Sequence, residues 1–311
     1  MIQRLEDIVT AARSRGKKRL IAAFAQDLHT IEAIDHAVSM ELIDATLVGE
    51  RKEIEKVCEQ AGIDSSRFRI VEESNDMDCV TRAVKMVGGG EGDILMKGLV
   101  STDKYMRGIL SKECGLVPPK GTLSHVTVLE LPSYHKLLVV SDVAVIPYPD
   151  FNQKRALVRY LAATARNLGV ACPKIACIAP SEQVLPNVVS SSEAALLAKM
   201  GDRGQFGNVL IDGPLSLDLA LVEEMAVTKK FKGNGVAGDP DCLLFPNIDA
   251  ANVFFKSATK LCGANLAAIV AGAKVPCVLT SRGDTKESKL YSIALACLSA
   301  KESDRFETSE I

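Results

Sequence analysis

The order of its β-like and helical runs constrains this chain more than any single motif. From residue 19 onward, short aliphatic runs alternate with segments whose apolar residues recur at helical spacing. Residues 19–25 read as a strand and 30–40 as a helix, with Ile31, Ile34, Ala37 and Val38 on one face. Strand-like runs at 45–48, 68–71 and 93–97 then alternate with helical runs at 51–60, 76–87 and 102–110. Such alternation predicts a parallel sheet covered by helices on both faces, with right-handed crossovers. The texture changes near Pro118 and Pro119. Residues 122–131 and 136–146 are consecutive strand-like runs joined by Pro132-Ser133-Tyr134-His135, a separation that suits antiparallel strands. Alternation resumes with helices at 153–168, 192–200, 217–227 and 247–261 and strands at 174–179, 209–212 and 242–245.

A chain of 311 residues exceeds the usual single core, so two α/β domains are expected. The change of texture puts one at residues 119–280. The other comprises 1–118 plus 281–311, discontinuous because the terminal helix packs back on it. With 47% apolar residues, no tryptophan and a formal charge of −2, the composition suits a soluble layered α/β protein. It gives no electrostatic bias toward nucleic acid or an anionic membrane, and no apolar run is long enough to span a bilayer. The N-terminal segment is charged and amphipathic, without an export-type apolar region. Nine cysteines without close pairing read as reduced thiols in a cytoplasm. No CxxC pair or HExxH occurs, so no metal site is expected.

Polar residues cluster where strands give way to helices, the edge at which α/β sheets bind ligands. The run Pro276-Cys277-Val278-Leu279-Thr280 breaks into Ser281-Arg282-Gly283, followed by a helix with a capping-box pattern at Asp284 and Glu287. An apolar stripe continues it at Leu290, Ile293, Ala294, Cys297 and Leu298. Free amides at such a turn favour anions. Lys97, Ser101, Thr102 and Arg107 lie just past another strand, and could together meet a phosphate or serve singly as caps and solvated charges. Ser141 and Asp142 interrupt an apolar strand. Asp218 follows Asp212-Gly213-Pro214, and Asn252 follows Phe245-Pro246-Asn247 with Lys256 and Lys260 further along. The glycine run at 88–92 precedes a strand and lacks GxGxxG spacing, so it reads as a loop. There is no GxSxG elbow and no cysteine with a nearby histidine, which leaves covalent catalysis without support.

Taken in order, the segments MKGLVSTDKYMRGIL, LLVVSDVAVIPYPD, IDGPLSLDLAL, FPNIDAANVFFK and AGAKVPCVLTSRGDTKESKLYSIALA resemble the phosphate acetyl/butyryl transferase family, most closely its butyryl branch. The resemblance implies two α/β domains with mainly parallel sheets and an interdomain cleft, similar to the isocitrate and isopropylmalate dehydrogenase fold. It also implies a homodimer or higher homo-oligomer, acyl-CoA and phosphate as substrates, and no cofactor. Ser281, Arg282 and Arg107 fall on the family's catalytic positions. Lys97, Ser101, Thr102, Ser141, Asp142, Asp218, Asn252, Lys260 and Gly283 are the accompanying substrate-binding candidates, Lys260 standing where acetyl-specific relatives have arginine.

One departure stands out. Where the acetyl branch carries an aspartate proposed as general base, this chain has Ser288, whose hydroxyl is far too weak a base near neutral pH. Asp284 and Glu287 are adjacent carboxylates on different faces of the expected helix. The expected activity is interconversion of a short-chain acyl-CoA plus phosphate with acyl phosphate plus CoA, by direct attack in a ternary complex. Butyryl or branched chains are favoured, with acetyl transfer as the alternative. The serine at 288 keeps open a catalytically silent CoA- or acyl-phosphate-binding protein. A metal-dependent hydroxy-acid dehydrogenase of the same fold would need an acidic cluster and nucleotide loop that the sequence does not supply.

Overall fold

Apolar residues at positions 5, 8, 9 and 12 give helix α1 (Leu5–Ser14) one buried face. Strand β1 (Lys18–Ala23) follows, with Leu20 to Ala23 almost wholly inaccessible, as expected for a strand covered on both sides. The computed structural model describes residues 1–279 and 285–300. They form two units, Glu6–Leu123 with the segment from Ala267 onward, and Met1–Leu5 with Ser124–Leu266.

In the first unit, α2 (Leu28–Ser39) starts at Asp27, whose carboxylate accepts the Thr30 amide. β2 (Ile43–Gly49) and α3 (Arg51–Ala61) come next, and Gly62 ends that helix with a φ of 68°. β3 (Arg69–Glu72), α4 (Asp76–Gly88), capped by Asn75, β4 (Ile94–Lys97) and α5 (Thr102–Leu110) complete the outward run.

The second unit begins with β5 (Ser124–Glu130) and β6 (Leu138–Ser141), which pair antiparallel as their short connection predicts. Helix α6 (Phe151–Asn167) opens with a reciprocal capping box between Asp150 and Gln153. β7 (Lys174–Ile178), α7 (Val189–Asp202) and β8 (Leu210–Leu215) follow. The helix expected over 217–227 is two short ones, α8 (Leu217–Leu221) and α9 (Glu223–Thr228), separated at Val222, whose backbone is extended. β9 (Cys242–Leu244) and α10 (Ile248–Lys260) finish the unit, whose strand order is β5-β6-β9-β7-β8. Strands β6, β9, β7 and β8 are parallel.

The return to the first unit comes at Ala267, ahead of the residue 281 taken from sequence, and Met1–Leu5 belongs with the second unit. β10 (Asn265–Ala271), a strand the sequence reading misses, pairs antiparallel with β11 (Cys277–Val278). β11 lies parallel to β4, giving the order β3-β2-β1-β4-β11-β10. The last helix is α11 (Lys286–Ser299). Its cap is Thr285, whose hydroxyl accepts the Ser288 amide, so the capping register expected from Asp284 and Glu287 is shifted by one residue. Burial extends beyond the expected stripe to Ser288, Lys289, Ser292, Leu295 and Ala296, so this helix is enclosed on more than one face.

Candidate active site

The parallel strands β1, β2, β3, β4 and β11 place their carboxyl ends along one edge of the first unit. Two loops at this edge are stitched together. Gly98 donates its amide to Ala23 O at 2.9 Å, and Leu99 donates to Phe24 O at 2.9 Å. Gly98 admits this approach because it has no Cβ; one built there falls against the Phe24 carbonyl and 2.8 Å from Ala23 O.

Lys97, at the end of β4, is 7% exposed. Its ammonium donates to Gly98 O at 3.0 Å and Val100 O at 2.9 Å, so it braces the loop that leads into α5. Ser101 caps α5 by accepting the Lys104 amide, and Thr102 is the exposed first residue of that helix. Tyr105 is fully buried and its hydroxyl reaches both Leu95 O at 3.2 Å and Val278 O at 3.3 Å, fixing α5 over β4 and β11. Burial holds that phenol well above its ordinary pKa. Arg107 projects from the same helix with its side chain 72% exposed, its guanidinium 3.0 Å from Asp103 one turn earlier. Such a pair is weak enough for an incoming anion to displace.

Ser281, Arg282 and Gly283, with Asp284, lie outside the described residues. Described structure resumes at Thr285. Ser288 is 6% exposed, accepts a hydrogen bond from the Thr285 hydroxyl at 3.2 Å and sits inside the first turn of α11. Ser292 donates from its hydroxyl to Ser288 O at 2.7 Å and accepts the Ala268 amide at 3.0 Å, tying α11 to β10. Glu287 is exposed, and a backbone hydrogen bond and the Thr285 hydroxyl lower its carboxyl pKa. A different carboxylate stands out at this edge. Asp27, the cap of α2, has one oxygen bonded to Thr30 and the other buried with no hydrogen-bond partner.

In the second unit, Ser141 ends β6 and is wholly buried; its hydroxyl donates to His125 O at 3.2 Å and pairs with the Ser124 hydroxyl at 2.8 Å. The expected interruption of a longer strand is a strand end. Asp142, 3% exposed, accepts the amides of Ala144 at 2.8 Å, Val145 at 2.9 Å and Ile146 at 3.2 Å, which turns the chain and satisfies the charge locally. Asn252 donates to Val143 O at 2.9 Å, so Asp142 and Asn252 hold the same turn. Lys260 is apart from them: it is exposed at the far end of α10, eight residues or about 12 Å along the axis from Asn252.

Asp218 lies in the first turn of α8, its pKa lowered by the Ser216 hydroxyl and by Lys229. Lys229, which sequence reading passes over, stands 3.3 Å from Asp218 and 3.5 Å from Glu182, linking the loops after β7 and β8. Lys154 and Glu193, from the first turns of α6 and α7, form an ion pair with side chains 7% and 19% exposed. No local motif announces either pair, because each joins residues far apart in sequence.

Burial pushes the thiols of Cys177 and Cys277 up to about 12. Such thiols are overwhelmingly protonated at neutral pH and make poor nucleophiles. Among the described residues no three His, Cys, Asp or Glu side chains gather as a metal would require, and no helix is long and apolar enough to cross a membrane.

The family described as phosphate acetyl/butaryl transferase matches residues 71–297. The chain belongs to that family. A phosphate butyryltransferase of Clostridium acetobutylicum is 40% identical over 300 residues, covering 96% of this chain and 99% of the relative. A phosphate acetyltransferase of Thermotoga maritima is 37% identical over 301 residues, covering 95% and 99%. Among solved structures, a branched-chain phosphotransacylase from Enterococcus faecalis aligns with a TM-score of 0.80 at 28% identity, covering 91% of this chain and 100% of that one. A phosphotransacetylase from Streptococcus pyogenes shares the fold, with a TM-score of 0.80 at 20% identity over 96% of this chain and 99% of that one. Membership agrees with the α/β class and mainly parallel strands expected from the order of elements. It also agrees with the resemblance drawn from the strand-end segments.

Proposed function

We propose that the protein transfers a short acyl group between CoA and inorganic phosphate. The observation that carries this reading is the 40% identity to a phosphate butyryltransferase across nearly the whole of both chains. Starting from the acyl phosphate, the CoA sulfur attacks the carbonyl carbon and the bond from that carbon to the phosphate oxygen breaks. A thioester forms, phosphate leaves, and the thiol proton goes to a base or to water. The oxyanion of the tetrahedral intermediate and the departing phosphate both call for cationic and amide donors. Arg107 is available for that task, being exposed and held, among the described residues, by Asp103. Ser281, Arg282 and the amides near Gly283 are assigned the rest on sequence grounds. Direct transfer rather than an acyl-enzyme is supported by the raised thiols at Cys177 and Cys277.

Butyryl or branched acyl groups are the preferred substrates. The butyryltransferase relative at 40% identity and the branched-chain structure at 28% support this choice, against 37% for the acetyltransferase. Nine free cysteines, six of them buried, support a reducing cytoplasmic setting. Assembly as a homodimer or higher homo-oligomer belongs to the same reading and is measured by light scattering.

The test is phosphate-dependent release of CoA from acetyl-, propionyl-, butyryl- and isobutyryl-CoA with a metal chelator present. Turnover highest with the four-carbon chains is expected, with a severe loss in Arg282→Ala at unchanged circular dichroism. A well-folded Arg282→Ala variant with near-wild-type turnover removes that residue from the mechanism. No turnover together with measurable CoA binding makes the protein a silent binding module.

A further inference from the structure

Of the four histidines, His29, His36 and His135 are exposed, whereas His125 is only 6% exposed. His125 is the second residue of β5, which runs antiparallel to β6. The start of β5 therefore lies beside the end of β6, at the carboxyl edge of the parallel strands β6, β9, β7 and β8. That edge is where open α/β sheets take their ligands. Extending the pairing of Thr127 with Val140 by two residues puts His125 level with Asp142, in the turn that Asn252 also holds. Ser141 ties the two strand ends together, donating its hydroxyl to His125 O at 3.2 Å and pairing with the Ser124 hydroxyl at 2.8 Å.

The ring is oriented from within the sheet. Nδ1 lies 3.0 Å from the hydroxyl of Thr127, which is wholly buried two residues further along the same strand. Residues two apart share a face of a strand, so this bond runs along β5 and away from the edge. The bond made by one ring nitrogen selects the tautomer of the other. With Nδ1–H donating to Thr127, Nε2 is the nitrogen that takes up a proton. The transfer needs such a group, because a thiol ordinarily titrates near about 8.5 and Ser288 supplies no base. Imidazole, at about 6.5, is matched to that task near neutral pH.

We propose that His125 is the general base of the acyl transfer, a role that rests on the acyl-transfer reading. Its Nε2 takes the thiol proton as the CoA sulfur bonds to the acyl carbon and the bond from that carbon to the phosphate oxygen breaks. The imidazolium then gives the proton to the departing phosphate or to water. In the opposite direction phosphate attacks the thioester and the imidazolium protonates the leaving sulfur. Thr127 is a positioning residue, acting through the ring. Within the second unit, β6 and α6 pack against β5. Strand β6 carries no titratable side chain, and Asp142 beyond its end is bonded to three amides. Helix α6 brings Lys154, which is paired with Glu193, and the half-buried Arg155 and Tyr160. Glu130, at the far end of β5, accepts the Leu5 amide.

The experiment follows CoA consumption with butyryl phosphate between pH 5 and 9 in wild type, His125→Asn and Thr127→Val. Asparagine keeps a polar atom near the place of Nδ1, so it preserves the contact with Thr127 while removing the base. Wild-type kcat/KM for CoA should rise with pH through about 6.5. H125N should lose that limb and about 10²–10⁴-fold in kcat, with the butyryl phosphate KM unchanged. Its deficit should shrink as pH rises past about 8.5, where thiolate forms without help. T127V should lower kcat by less than H125N does. His125→Gln makes the same comparison should the asparagine variant not fold. An H125N protein with the wild-type limb and turnover overturns the proposal. So does a deficit of equal size at every pH, the mark of a purely structural histidine. A wild type that turns over none of the acyl substrates refutes the acyl-transfer reading, and this role with it.

Discussion

Gly98→Ala tests whether the stitched loops of the first unit hold the candidate site together. A Cβ at this position stands 2.7 Å from the Phe24 carbonyl carbon and 2.8 Å from Ala23 O, whereas ordinary contact begins at 3.4 Å. These are backbone atoms and cannot rotate away, and the Phe24 carbonyl oxygen is nearer still, so the loop after β4 must retreat by about 1 Å. The amide bonds from Gly98 to Ala23 O and from Leu99 to Phe24 O, both 2.9 Å, then stretch past the hydrogen-bond limit of about 3.5 Å. Losing two such bonds costs about 1–3 kcal/mol, and residual overpacking adds about 1–3 kcal/mol. Reduced entropy of the unfolded chain returns about 0.4–1 kcal/mol. The expected net loss is therefore about 1–5.6 kcal/mol. Urea denaturation of the variant reads it directly, and phosphate-dependent CoA release should fall because Lys97, Ser101 and α5 move with the loop. Gly16→Ala is the control: φ is 78° there but nothing lies within 4 Å of the added methyl, so it should cost only the left-handed backbone penalty of about 1–2 kcal/mol. A Gly98→Ala protein within 0.5 kcal/mol of wild type, by the usual tolerance of surface changes, would refute the steric argument.

Glu193→Ala leaves Lys154 buried without its partner and should cost about 3–5 kcal/mol, whereas the double change Lys154→Met with Glu193→Leu should be near neutral or stabilising; denaturant midpoints of the cycle check this. Asp239 supplies a pH prediction. Burial pushes its carboxyl up, but hydrogen bonds and charges from Lys136 and Lys174 outweigh burial and hold it at about 2, below the ordinary 3.8. A depressed acid stabilises the fold above its unfolded pKa, so this contribution is present above about pH 4 and is lost as pH falls through about 2. Asp239→Asn should flatten that limb of a denaturant midpoint measured between pH 2 and 5.

Much of the architecture is legible because burial on both faces of a parallel strand forces runs such as Leu20 to Ala23. The antiparallel step at β5 and β6 is legible because its connection is too short for a crossover helix. Strand β10 is not, since three of the seven residues of Asn265–Ala271 are alanine and dilute the signal of Ile269 and Val270, and what holds it extended is pairing with β11 and the Ser292 hydroxyl. The strand-end position of Lys97 follows from sequence, whereas Asp142 reads there as the middle of a strand, and the partners of neither are legible. Each charge is met by backbone groups within four residues, and only the turn geometry reveals that.

The discontinuity of the first unit bears on how the chain is made. Strand β4 at residues 94–97 acquires its neighbour β11 only when residues 277–278 have been synthesised, with the whole of 124–266 lying between. Until then the β4 side of the sheet is an open edge, apolar from Ile94 to Met96, able to pair with another nascent chain. A product truncated anywhere before residue 277 keeps that edge permanently. Such fragments should be chaperone-dependent and prone to aggregate, whereas removing residues from 301 onward leaves the β4–β11 pairing intact.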